Sequence, residues 1–207
     1  MLTKSLSESL LVCAILTQKK IERLKKEGVS GLIIDLRNNG GGSLKTAIEI
    51  SGLFIKKGPI VQIKYRGEAP IVKYDTNEKI QWDGAVIVLV NEFSASASEI
   101  VSGSLQDNDR AVILGSLSFG KGLVQATRPL SYNSQLKITT AKYYIPSGRC
   151  IQAINYAEKG PDGEVKKIPD SLKVAFKTKA GRVVFDGGGV EPDMKLEPQL
   201  LSQIAIT

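Results

Sequence analysis

The sequence predicts an α/β fold with a mostly parallel central sheet, flanking helices and additional β-strands toward the C-terminus. Three apolar runs carry the sheet. GLIIDLR at 31–37, AVIVLV at 85–90 and AVILG at 111–115 are continuous rather than alternating, the pattern of strands covered on both faces. A helical stretch joins the last two, and a strand–helix–strand series implies a right-handed crossover with parallel pairing. After Gly122 the segments are enriched in Val, Ile, Thr and Tyr and separated by turn residues, which reads as further β-structure.

In chain order, residues 6–27 show helical spacing. Leu6, Leu10, Cys13, Leu16, Ile21 and Leu24 share one broad face, Glu22 and Lys26 form an i,i+4 pair, and Gly28 ends the helix. The first apolar strand leads into NNGGG at 38–42 and a helix over 44–54 capped by Ser43. Residues 60–65 alternate as a half-buried strand, with 69–74 as its hairpin partner. The second apolar strand is followed by a turn at Asn91–Glu92, a helix to about Leu105, and the third strand. Segments 123–128 and 135–144 read as strands, PSGR at 146–149 as a turn, and the polar 155–170 as a surface loop. A hairpin spans 173–185 across Ala180–Gly181, and GGGVEPD at 187–193 is a glycine-rich turn.

Composition excludes several classes of function. The 207 residues suffice for one domain with a substantial core, or two very small ones. Hydrophobic content of 42% and charged content of 24% are those of soluble globular proteins, and no run approaches a membrane span. The apolar stretch 10–16 lacks a small-residue cleavage site and reads as a helix face, not a signal peptide. The net charge of +7 concentrates at Lys19–Lys26 and Lys166–Lys179. With only 6% aromatic residues there is no basic groove interleaved with stacking rings, so no nucleic-acid partner is expected. Two cysteines are too few for a disulfide scaffold. Cys13 reads as a core residue and Cys150 as exposed, with their pairing left open.

The chain contains no histidine. A Ser-His-Asp relay within it is impossible, and neither a metal nor a cofactor is expected. Nucleophilic catalysis would need another base, and a serine paired with a lysine is the candidate. Ser96, in SASASEI, falls one or two residues into the helix after AVIVLV, where unpaired first-turn amides stabilise negative charge. Serines also cap helices, and Ser94 fits that role equally. Lys121, in SFGKG, is flanked by glycines that permit close backbone approach. A lysine takes up a proton only when neutral, which requires apolar surroundings, here Phe119, Leu123 and Val124. A solvent-facing turn lysine is the plain alternative. GSLSFGKG is not a phosphate loop, because Gly122 stands where a Ser or Thr is required. The three glycines of NNGGG can turn backbone amides toward an anion, or simply make a tight turn. Alternation from Lys121 places Gln125 on the lysine's side, where a neutral amide can orient it. Asp35, Arg37 and Glu99 are nearby polar groups with structural roles open to them.

Taken together, GLIIDLRNNGGG, VIVLVNEFSASASEIVSGSLQDNDRAVILG, SFGKGLVQ, ITTAKYYIPSGRCIQ and GGGVEPD resemble the carboxyl-terminal processing proteases, also called tail-specific proteases. The match runs from about residue 31 to residue 193, with order and spacing in agreement. The resemblance implies a ClpP/crotonase-like α/β core and a serine endopeptidase with a Ser-Lys dyad. In it Ser96 is the nucleophile, Lys121 the general base and Gln125 the residue that positions the lysine. It implies oxyanion donors at the backbone N–H groups of Ala97 and Gly41. The implied partners are protein or peptide substrates bound extended by β-addition, with room for a homo-oligomer, and the implied location is the periplasm or cell envelope. Family members carry a PDZ domain for which this chain has no room, so residues 1–207 are expected to be a peptidase catalytic core, a fragment lacking that domain. Gly40 replaces the family's usual proline, which loosens the loop, and Phe93 replaces a glycine near Ser96. The rival reading is a non-catalytic module on the same core that binds a hydrophobic ligand or a peptide.

Overall fold

The structure, a computed structural model, describes residues 3–7, 14–75, 79–159 and 165–196. Its centre is a five-stranded sheet in the order β1 (Thr3–Ser7), β2 (Gly31–Asp35), β5 (Ala85–Val90), β6 (Val112–Gly115), β13 (Met194–Lys195). Every neighbouring pair in it is parallel. The continuous apolar runs form its middle, and Leu32, Ile34, Val86, Val88, Val90 and Ile113 are buried. Helices α1 (Ala14–Lys26), α2 (Leu44–Gly52) and α3 (Ala97–Asp107) follow β1, β2 and β5 in the chain.

A second sheet, antiparallel, has the order β4 (Ile71–Tyr74), β3 (Pro59–Tyr65), β8 (Gln135–Tyr144), β7 (Leu123–Pro129). Helix α3 touches both sheets and every one of its residues is buried. Its polar side chains are accordingly bonded. Ser98 Oγ donates to Asn39 O at 2.8 Å, Ser102 Oγ to Ser98 O at 2.9 Å, and Ser104 Oγ to Ser51 Oγ at 3.0 Å. Gly103 permits the packing, since a Cβ there would lie 2.7 Å from Ile145 Cδ1.

Two small hairpins complete the chain, β9 (Ile154–Lys159) with β10 (Val165–Lys167) and β11 (Ala175–Lys177) with β12 (Val183–Phe185). The second is tied under the C-terminal end of α3 by a buried ion pair. Arg149 and Asp107 side chains are 0% exposed and 3.0 Å apart. Arg149 also donates to Gln106 Oε1 at 2.6 Å and to Phe185 O at 3.0 Å.

The structure departs from the sequence reading at several places. Residues 3–7 pair with β2, so Leu6 lies opposite Ile34 in a strand and not on a helix face. Leu10 and Cys13 lie outside the described residues. Of the expected face, Ile21 and Leu24 are buried, but Leu16 is 50% exposed. Glu22 accepts from Gln18 Nε2 in place of pairing with Lys26. The polar stretch after 154 is largely a β-hairpin, not a loop, because the edge of β9 supplies a ladder that hydropathy does not reveal. The last turn continues into β13 against β6. Cys150 is half-buried, and burial pushes its thiol above the ordinary cysteine value.

Replacing Arg149 by Ala leaves Asp107 buried without its cation, and is expected to cost about 3–5 kcal/mol. Urea unfolding measures this. A loss of similar size in the double variant with Asp107→Asn would show that the pair is not the cause.

Candidate active site

Ser96 stands one residue before α3, at the helix N-cap, and not inside the helix. Its backbone has φ 59° and ψ −115°, a conformation that L-residues with side chains rarely hold. Three sets of bonds impose it. Ser96 N–H donates to Glu99 Oε2 at 2.8 Å, and Glu99 N–H donates back to Ser96 O at 2.9 Å. Ala95 N–H donates to Asn39 O at 3.0 Å. Ser94 is no cap; its hydroxyl donates to Leu36 O at 2.7 Å and accepts from Asn91 N–H at 2.9 Å, joining the turn to the end of β2.

The 38–42 loop packs directly on Ser96. A Cβ on Gly41 (φ +98°) would lie 2.5 Å from Ala95 O, 2.7 Å from Ala97 N and 2.9 Å from Ser96 Cβ, so only glycine fits. The Gly41 N–H is already committed, donating to Asn39 Oδ1 at 3.0 Å. Gly42 is the loop residue that reaches the groove. Among the described residues no hydrogen bond engages the N–H of Gly42 or of Ala97. The amide expected as a donor, that of Gly41, is thus bonded to the Asn39 side chain, whereas that of Gly42 is open to the groove.

Lys121 arrives from the loop after β6. Its N–H donates to Glu99 Oε2 at 2.9 Å and its carbonyl accepts from the Tyr143 hydroxyl. The flanking glycines are sterically required: a Cβ on Gly120 would lie 2.4 Å from Ala153 Cβ, and one on Gly122 2.9 Å from Gln152 N. Ser96, Ala97, Gly42, Lys121 and Gln125 all line one groove of about 330 Å³. Leu44, Ile100, Leu123, Val124 and Tyr143 give it an apolar lining. Phe119, expected as part of the lysine's wall, is 51% exposed and outside this groove. Asp35 and Arg37 form an ion pair with each other at 2.7 Å away from the groove, and the guanidinium holds the Asp35 carboxyl below its usual range.

Glu99 is the residue whose importance the sequence reading underrated. It is 0% exposed. Its carboxylate accepts four hydrogen bonds, from Ser96 N and Lys121 N at Oε2 and from Gly120 N (2.7 Å) and Ser118 Oγ (2.5 Å) at Oε1. One carboxylate thus joins the turn that carries Ser96 to the turn that carries Lys121. Burial pushes it above the ordinary glutamate value, and the four bonds oppose this without cancelling it. The spacing Ser96-x-x-Glu99 is that of a helix-capping pair, a signal that was available. Tyr143 was also missed. Burial, then the charge of Glu99, raises its phenol well above the ordinary value, against a hydrogen bond with Ser96, so it stays a protonated donor.

The sequence model of peptidase family S41 matches residues 16–165. The chain belongs to peptidase family S41. It is 42% identical over 158 residues to the carboxy-terminal-processing protease of Bartonella bacilliformis, covering 73% of this chain and 35% of that protein. It is 38% identical over 143 residues to the tail-specific protease of Haemophilus influenzae, covering 65% of this chain and 21% of that protein. The chain therefore spans about a third or less of the length of these relatives. Among solved structures, the photosystem II D1 C-terminal processing protease superposes with a TM-score of 0.69 at 28% identity, over 95% of this chain and 42% of that one. The S41 chain has the α/β fold that its sequence predicts.

Because the native Glu99 value is raised above the unfolded one, its contribution is most favourable below the ordinary glutamate range. It declines as pH rises through the raised value and is constant above it. Glu99→Gln should remove that slope and, by turning an amide NH₂ toward bound N–H groups, cost about 1–3 kcal/mol at neutral pH. Unfolding curves of both proteins across this range decide it; parallel pH profiles would contradict the assignment.

Proposed function

We propose that this chain is the catalytic core of a serine endopeptidase that cuts C-terminal tails or unfolded proteins through a Ser96–Lys121 dyad and an acyl-enzyme. The observation that carries this is the convergence of Ser96, Lys121, Gln125 and two unbonded amides, those of Ala97 and Gly42, on one groove. Neutral Lys121 takes the Ser96 hydroxyl proton as Oγ bonds to the substrate carbonyl carbon. The carbonyl electron pair moves to oxygen, and the Ala97 and Gly42 N–H groups hold the oxyanion. Collapse of this intermediate breaks the C–N bond, and the lysine ammonium returns its proton to the leaving amine. Water, deprotonated by the same lysine, then attacks the acyl-enzyme and releases the acid. Gln125 orients Lys121 without adding a charge that would favour the ammonium.

Strand β7 carries Leu123 and Gln125 and is an edge of the antiparallel sheet, so its outer backbone groups can pair with an extended substrate. The apolar lining suits small or aliphatic side chains near the cut. Resemblance to the processing proteases supports a location in the periplasm or cell envelope.

Ser96→Ala, Lys121→Ala and Lys121→Arg should each retain the fold and lower cleavage of an unstructured labelled protein by at least about 10³-fold, since arginine cannot be a neutral base. Circular dichroism checks the fold and fluorescence release the rate. Undiminished cleavage in any of the three would overturn the dyad. Uptake of an apolar ligand with no Ser96-dependent hydrolysis would favour a binding module instead.

A further inference from the structure

The groove contains a cation that the proposed chemistry does not use. Lys137, on β8, lines the same groove as Ser96 and Lys121. Its register explains the placement. Lys137 pairs with Thr127, and Gln125 with Thr139, so these four side chains share one face of the β7–β8 ribbon. Leu136 and Ile138 are on the reverse face, with Arg128 and Ala126 as their partners. Lys137 and Gln125 are diagonal neighbours on the groove face, about 7–8 Å apart at the backbone.

Among the described residues no acidic side chain lines the groove. The carboxylate of Glu99, which holds the Ser96 and Lys121 turns, is buried and engaged by its four donors. Among the described residues neither Lys137 nor Gln125 has a hydrogen-bond or ion-pair partner. The groove therefore presents, among the described residues, an apolar lining and an ammonium with no group to balance its charge.

We propose that Lys137 forms a carboxylate-binding subsite that selects substrates carrying a negative charge close to the cut. The proposal rests on the peptidase reading for its position relative to the scissile bond. Lys137 lies opposite a residue four positions beyond Leu123, about 13 Å along the strand, and its side chain reaches back into the groove. An extended substrate advances about 3.3 Å per residue, which places the carboxylate within about three residues of the bond cut. An acidic side chain or a free C-terminal carboxylate supplies the same group. A solvated ammonium gives modest discrimination, about two- to fivefold, that weakens with salt.

The test uses matched peptides that differ only in Glu or Gln at each of three positions beside the cut, each with a free or an amidated C-terminus. Binding is read by fluorescence anisotropy in the Ser96→Ala background, and cleavage in the otherwise unaltered protein. The expected result is about a two- to fivefold preference for the charged peptide at one position. It should be lost in Lys137→Gln and reversed toward a Lys-containing peptide in Lys137→Glu, with kcat on the neutral peptide unchanged. Comparison of the free and amidated sets tells a tail carboxylate from a side-chain one. Equal binding of charged and neutral peptides, or a preference that survives in Lys137→Gln, overturns the subsite. Charge-dependent binding with no cleavage by the Ser96 protein leaves the subsite standing and removes the peptidase reading.

Discussion

The site depends on one buried carboxylate. Transfer of a glutamate from water into the interior is costly unless its lone pairs are taken up, and Glu99 has donors at both oxygens. Three of these donors are backbone amides in two separate turns, one of which carries Ser96 and the other Lys121. Neither turn has a regular ladder of its own to hold it. The strained φ of Ser96 persists because Glu99 on one side and the Asn39 loop on the other determine it together.

That arrangement requires a rigid α3, and the fold provides it by burial. The helix is enclosed by two sheets, so its serines are bonded inward and its C-terminal end is pinned by Asp107, Gln106 and Arg149. A displacement of Glu99 would need the whole helix to move against both layers. The glycines at 41, 120 and 122 serve the same end, since each admits backbone where a side chain would push the loops apart. The groove is left polar at the reacting end and apolar along its lining, open beside an unpaired strand edge.

Much of this was legible in the sequence because burial on both faces leaves an unmistakable mark. The runs at 31–37, 85–90 and 111–115 became the central strands β2, β5 and β6, and the helix between the last two implied their parallel pairing. The edges β1 and β13 were not legible, since TKSLS has no clean alternation of polar and apolar residues and β13 is only two residues long. In the site, alternation put Gln125 on the side of Lys121, and the resemblance to the processing proteases grouped both with Ser96. The bond that engages the Gly41 amide was not legible, because it depends on where the Asn39 amide oxygen points. Glu99 stood in the sequence at capping distance from Ser96, but its contact with the Lys121 turn is a long-range fact of packing. Lys137 was hidden by a hairpin register that only the paired strands define.

The central claim is that Glu99 holds Ser96 and Lys121 as a reactive pair. It is tested most directly by the rate at which a serine-acylating probe labels the protein, with the labelled residue located by peptide mass spectrometry. The account predicts labelling at Ser96 alone, abolished in Lys121→Ala and slowed at least about tenfold in folded Glu99→Gln. Labelling at another residue, or an unchanged rate in the Glu99 variant, would contradict it.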